Sequence, residues 1–154
     1  MTHREMAEAN FKEGYNCSQA VFAAFSKEVG LPRQTALQLA SGFGGGIGRM
    51  REVCGAFSGA VMALGALYGS DDPTHKTAVY AMVQELAAKF KAETGSLICR
   101  ELLGLDKPEG SPVASPRTET YYKKRPCVEM VGLAADLLEQ YLAEHPVPRR
   151  EANA

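Results

Sequence analysis

The sequence predicts an all-α protein, a single-domain helical bundle of five to seven helices, and three observations lead there. Apolar residues recur at three- and four-residue spacing in one segment after another. Gly, Pro and small polar residues fall where those segments would start and stop. No stretch alternates apolar and polar residues for long enough to make a strand. The 154 residues suit one domain, expected over residues 1–145. A chain of this size buries roughly 68–70% of its unfolded surface, so it needs no staples to hold a core.

Thr2 to Lys12 carries Met6, Ala9 and Phe11 among charges, a short amphipathic helix broken by Gly14-Tyr15. Asn16 reads as the next N-cap with Gln19 at N3, a capping box in which Asn replaces the usual Ser or Thr. From Cys17 the set Ala20, Val21, Ala24, Phe25 and Val29 keeps helical spacing until Gly30. Leu31-Pro32 opens a short helix with Ala36, Leu37 and Ala40 on one face. Gly42-Phe43-Gly44-Gly45-Gly46-Ile47-Gly48 follows, a loop of wide backbone freedom. A helix is expected from about Glu52 to Tyr68, closed by Gly69.

Asp72-Pro73 begins another helix with Pro in its first turn. Its inward stripe is Ala78, Met82, Val83, Leu86, Ala87 and Phe90, and Gly95 ends it. Ser96 then caps a short helix to about Leu103, before Gly104. Asp106 to Thr120 holds Pro, Gly, Ser and Thr and reads as an exposed loop. Lys123-Lys124-Arg125 leads into a last helix from Pro126 to about Glu144, with Val131, Ala134, Ala135, Leu138 and Leu142 inward. The tail, residues 146–154, is expected to be disordered.

Lys and Arg number 17 against 18 for Asp and Glu, so a net charge of −1 gives no pull toward nucleic acid or anionic lipid. No run of about 18 uncharged apolar residues exists, so no membrane span is expected; Val53 to Tyr68 comes nearest and is short and rich in Gly and Ala. The first eight residues are charged and carry no apolar signal core, which points to a cytoplasmic protein. There, cysteines serve redox chemistry or metal binding more often than permanent disulfides. A homo-oligomer stays open, and the sequence leaves the redox partner unidentified.

The four cysteines, Cys17, Cys54, Cys99 and Cys127, are separated by 37, 45 and 28 residues, so no CxxC unit, zinc finger or ferredoxin run is present. They share a position instead. On the boundaries above, Cys17 falls at N1, Cys99 at N3 and Cys127 at N2, and Cys54 in the first turn of a helix beginning near Glu52. Helix starts present unpaired N–H groups and partial positive charge, which favour thiolate over thiol. Thiolates are both the nucleophiles and the metal ligands of protein chemistry. Arg49 and Arg51 precede Cys54, Arg100 follows Cys99, and Lys123 to Arg125 precede Cys127. The plainer reading is that free cysteines act as small buried hydrophobes.

Gly55, Gly59 and Ala63 lie four apart on one face, a smooth stripe that admits a close helix or a cofactor. Cys54-Gly55-Ala56-Phe57-Ser58-Gly59 is similar to the CGAxxG motif of C_GCAxxG_C_C, a redox-associated family of about this length named for its cysteine pattern. Asn16-Cys17-Ser18-Gln19-Ala20-Val21 resembles that family's first cysteine helix and Phe43-Gly44-Gly45-Gly46 its glycine loop. Cys99 and Cys127 resemble its third and fourth cysteines, and the resemblance runs from about residue 5 to 143. It implies redox activity or a cysteine-ligated cluster, since a similar domain occurs fused to a multihaem cytochrome with an iron–sulfur centre. It supplies no substrate.

The four cysteines are therefore the candidate catalytic residues and equally the candidate metal ligands. Gly44, Gly45, Gly46, Gly55 and Gly59 are the candidate cofactor-binding positions. Three chemistries stay open: an iron–sulfur cluster, a zinc site, or reversible disulfides with no cofactor, in which Cys54 beside two arginines would be the attacking thiolate. GFGGGIGR lacks the Lys-Ser/Thr end of a phosphate loop and follows a helix, which argues against a nucleotide. His3, His75 and His145 have no ligand spacing to one another. The competing class is a non-catalytic binding module, its glycine face taking a small ligand or a partner while the cysteines only pack.

Overall fold

The helix signals resolve into nine α-helices among the described residues, more than the expected five to seven. The structure, a computed structural model, describes residues 1–105 and 110–148, with the backbone only for Lys123 and Lys124. The helices are α1 (His3–Lys12), α2 (Cys17–Ala24), α3 (Ser26–Val29), α4 (Arg33–Ala40), α5 (Gly55–Tyr68), α6 (Lys76–Thr94), α7 (Cys99–Leu102), α8 (Glu119–Lys124) and α9 (Cys127–Glu144). A 3₁₀ turn, Pro73–His75, leads into α6. No strand occurs among the described residues, only an isolated antiparallel bridge between Val53 and Ile98.

Two departures account for the extra helices. The helix expected from Cys17 to Val29 breaks at Phe25, whose φ of −104° and ψ of 12° leave the helical well and divide α2 from α3. The expected loop over Asp106 to Thr120 gives way to α8 at Glu119, where Thr118 accepts a hydrogen bond from the Tyr121 N–H and caps the new helix. Residues 110–117 of that loop have no regular structure, and 106–109 lie outside the described residues. The expected disordered tail lies outside them from residue 149 onward. No described helix is long and apolar enough to cross a membrane.

The caps follow the sequence closely. Asn16 accepts from the Gln19 N–H at 2.9 Å and Gln19 Oε1 accepts from the Asn16 N–H at 3.1 Å, a complete capping box. Gly30 and Gly95 end α3 and α6 at φ of 82° and 89°. Gly69 closes α5 differently, with φ −69° and extended backbone.

Helix α2 sits at the centre, packed against α1, α4, α5 and α9. Ser18 and every residue from Ala20 to Ala24 are buried, as a helix surrounded by neighbours requires. The α5 stripe makes this possible: a Cβ on Gly59 would stand 2.7 Å from the Ser18 carbonyl oxygen. Phe11, Phe25, Leu64, Leu86, Phe90, Val131 and Leu138 fill the core. Leu142 on α9 is half-buried. Ala78, expected inward, is exposed, because α6 buries only Leu86 and Phe90 in its later turns against α5 and α9.

Charged and aromatic contacts fasten α1 to α9. Arg4 pairs with Asp136. His3 stacks on Phe25 at 4.2 Å and lies between Glu139, 2.6 Å from Nδ1, and Glu28, 2.8 Å from Nε2. Helix α8 covers the other end of α1, with Tyr121 and Tyr122 against Phe11.

Candidate functional site

Each cysteine arrives at the start of a helix. Cys17 is the first residue of α2 behind the Asn16 cap, Cys99 the first of α7 behind Ile98, and Cys127 the first of α9 behind Pro126. Cys54 occupies the N-cap position of α5. Cys99 and Cys127 thus lie closer to their helix starts than the sequence suggested. Ser96 is not the α7 cap: its hydroxyl accepts from the Ile98 N–H at 2.9 Å and donates to Glu101 at 2.6 Å.

Helix α5 begins at Gly55 rather than Glu52 because residues 51–54 pair with 97–100. The Cys54 N–H donates to the Leu97 carbonyl at 2.7 Å, and the Cys99 N–H to the Glu52 carbonyl at 2.6 Å. These bonds flank the Val53–Ile98 bridge, so Cys54 and Cys99 stand on either side of one short backbone pairing.

The glycine loop wraps this pairing in an unusual conformation. Gly45, Gly46, Ile47, Gly48 and Arg49 all have left-handed φ, from 54° to 71°, and Arg51 follows at 62°. Left-handed backbone costs a residue with a Cβ about 1–2 kcal/mol. Loop hydrogen bonds hold it, among them Gly48 N–H to Gly42 O at 2.8 Å and Glu52 N–H to Gly46 O at 2.9 Å. Glycine is required at Gly46, where a Cβ would lie 2.6 Å from the Glu52 nitrogen and 2.7 Å from the Cys99 Cβ. At Gly55 a Cβ would lie 3.0 Å from the Phe43 carbonyl oxygen and 3.2 Å from the Cys17 Cβ.

The result is one cavity of about 70 Å³ lined by all four cysteines with Gly45, Gly46, Gly55, Arg51, Arg117 and Tyr121. A space of roughly 10–15 Å³ holds one water, so this one has room for several. Gly44 does not line it and packs against the Asn16 side chain instead; Gly59 serves the α2–α5 contact.

The thiols divide sharply. Cys17 and Cys127 act on each other, which lowers Cys127 and raises Cys17. Against the opposing effect of burial, the neighbouring Cys17 thiol and the Arg125, Arg51 and Arg117 guanidiniums bring Cys127 from an ordinary 9.0 down to about 7. Cys54 goes the other way: burial outweighs its hydrogen bonds to the Phe57 and Ala56 backbone and pushes it up to about 11. Cys99 is also raised by burial, although Arg51 Nη1 lies 3.7 Å from its sulfur.

The cations read from the sequence are thus redistributed. Arg51 reaches Cys99 rather than Cys54. Arg49 donates to the Ser111 carbonyl and the Ser115 hydroxyl, and Arg100 pairs with Glu52 at 3.4 Å. The side chains of Lys123 and Lys124 lie outside those described. Sequence reasoning missed Arg117 and Tyr121, which reach the site from the far side of a long connection and carry no local motif. Among the described residues no three His, Cys, Asp or Glu side chains stand together as a metal-holding group.

A family model described as "Putative redox-active protein (C_GCAxxG_C_C)" matches residues 15–141, a span that contains all four cysteines. Neither a curated protein nor a solved structure matches the chain. The chain belongs to the C_GCAxxG_C_C family.

Proposed function

We propose that Cys17 and Cys127 form a thiol–disulfide couple that exchanges two electrons with a disulfide, Cys127 attacking as the thiolate. The observation that carries this reading is that Cys17 and Cys127 line one cavity and act on each other, Cys127 brought down to about 7 and Cys17 raised. At pH 7 about half of Cys127 is anionic and nucleophilic while its neighbour keeps a proton. A pair that only packed would gain nothing from this division.

The Cys127 thiolate attacks one sulfur of a disulfide R–S–S–R′; that S–S bond breaks and R′S⁻ leaves, taking up a proton. Cys17 then loses its proton and attacks the Cys127 sulfur, breaking the mixed disulfide and releasing RS⁻, which is protonated in turn. The substrate gains two electrons and the pair loses them as one S–S bond; the reverse sequence oxidises a dithiol. A zinc ion would need its sulfurs at about 2.3 Å around one centre, and a cluster also needs four thiolates drawn together. Among the described residues no such group is present, and the exchange above uses the two sulfurs alone.

The test is to titrate the anaerobically reduced protein with 2-hydroxyethyl disulfide and map the products by mass spectrometry. The expected product is a Cys17–Cys127 bond formed with loss of two thiols, and a Cys17→Ser variant should stop at a mixed disulfide on Cys127. Metal analysis of the same anaerobic sample guards the other side. Iron or zinc lost with any one of the four cysteines, or thiols that stay inert, would overturn the reading.

A further inference from the structure

The geometry points to a substrate pocket beside the cysteine cavity for a small disulfide carrying carboxylate groups, with Arg117 as the residue that reads the carboxylate. The inference deepens the thiol–disulfide reading and rests on it.

A second cavity of about 380 Å³ adjoins the first. Its size falls within the range of about 300–1,000 Å³ usual for small-molecule sites. The two cavities share Asn16, Gly45, Arg51, Arg117 and Tyr121 as walls, so a molecule seated in the larger one borders the space that the four sulfurs line. The larger cavity also takes in Arg49, and none of the described residues around it is acidic.

Arg117 carries the argument. Its Nη1 donates to the Phe11 carbonyl at 2.9 Å and its Nη2 to the Tyr15 carbonyl at 3.0 Å. The guanidinium lies 4.1 Å from the centre of the Phe11 ring and 5.0 Å from that of Tyr121. These partners fix its position without neutralising it, because carbonyls and rings carry no net charge. Among the described residues Arg117 has no carboxylate partner. Two of its five N–H donors are used and three remain, on a planar group whose geometry suits carboxylates. A half-buried guanidinium held rigid over two rings at the wall between the cavities is placed to hold an anionic group. A disulfide bond carried by the same molecule would then border the cysteines.

Three probes with the same S–S bond and different charge test this: 3,3′-dithiodipropionate (anionic), 2-hydroxyethyl disulfide (neutral) and cystamine (cationic). Each rate of Cys17–Cys127 oxidation is divided by the rate with dithiothreitol, which removes the probes' intrinsic reactivity. A carboxylate held by Arg117 predicts an anion-to-neutral ratio of about tenfold or more, with the cation slowest, and a ratio that shrinks in high salt. Arg117→Gln should bring the ratio close to one. Suberate, the all-carbon analogue of the anionic probe, should protect Cys127 from iodoacetamide in a saturable way. Suberate protection on the unmodified protein keeps the test valid if Arg117→Gln folds poorly.

Equal normalised rates and no protection, with the Cys17–Cys127 bond still forming, would overturn the pocket and leave the thiol–disulfide reading intact. A charge preference that survives Arg117→Gln would overturn the role given to Arg117. If none of the three probes oxidises the pair, the thiol–disulfide reading falls and takes the substrate class with it.

Discussion

Cys127 and Cys54 begin their helices at nearly the same place, yet their thiols shift in opposite directions. A helix start alone therefore does not make a thiolate here. At Cys54 two backbone donors favour the anion, but burial opposes them and wins. At Cys127 burial is answered first by the neighbouring Cys17 thiol and then by Arg125, Arg51 and Arg117. The sign of the pH dependence follows. Alkylation of Cys127 should rise as pH climbs through about 7 and level off above, while Cys54, at about 11, stays slow until strongly alkaline pH. Removing a cation disfavours the thiolate, so Arg125→Gln should move the Cys127 inflection up toward 9.0. Cys17→Ala should move it further, since the Cys17 thiol is the largest contribution. Site-resolved alkylation rates by mass spectrometry decide this; an inflection unmoved in both variants would mean that neither group sets the thiolate.

The loop between α4 and α5 places the cysteines relative to one another, and it does so through conformation more than through side chains. Five successive left-handed residues turn the chain so that Gly46 rests on Cys99 and the Glu52 amide. Gly46→Ala should therefore cost about 1–2 kcal/mol for the left-handed backbone and about 1–3 more for crowding Cys99. Urea unfolding measures the loss, and mapping of the oxidised thiols shows whether Cys17–Cys127 pairing survives. A variant within about 0.5 kcal/mol of the parent would mean that the loop adapts freely. The conformation of this loop lies beyond what local signals in the sequence specify. The Asn16–Gln19 box, Gly30, Gly95 and the arrival of four cysteines at helix starts were legible because capping chemistry is local. Ile47, Arg49 and Arg51 at positive φ were not, since no local signal puts a β-branched or long side chain there; the surrounding hydrogen bonds impose it. The 51–54 pairing with 97–100 was equally hidden: it joins segments distant in sequence and is too short to show alternation. Helix α8 had a readable cap in Thr118, masked by the prolines and glycines before it.

At the scale of the whole molecule, a Cys17–Cys127 bond would join α2 to α9, elements that already pack together and lie near opposite ends of the chain. The cross-link therefore acts mainly on the unfolded chain, whose loop it closes. Loop-closure entropy sets a ceiling of about 4.7 kcal/mol for a loop of 100 residues, and measured disulfides typically give about 2–4. Oxidation should accordingly raise Tm by roughly 5–15 °C in a chain of this length. Free energy closes around the cycle, so whatever the bond adds to the fold, the fold adds to the bond. The folded dithiol should then be the stronger reductant, its potential about 40–90 mV below that of the same two cysteines in the unfolded chain. Calorimetry of oxidised and reduced protein, beside glutathione titrations with and without urea, measures both sides independently. Cys127→Ser should erase the Tm difference. A Tm that falls on oxidation would reverse the direction of electron flow: the fold would favour the dithiol, and the pair would serve as an acceptor of electrons rather than a donor.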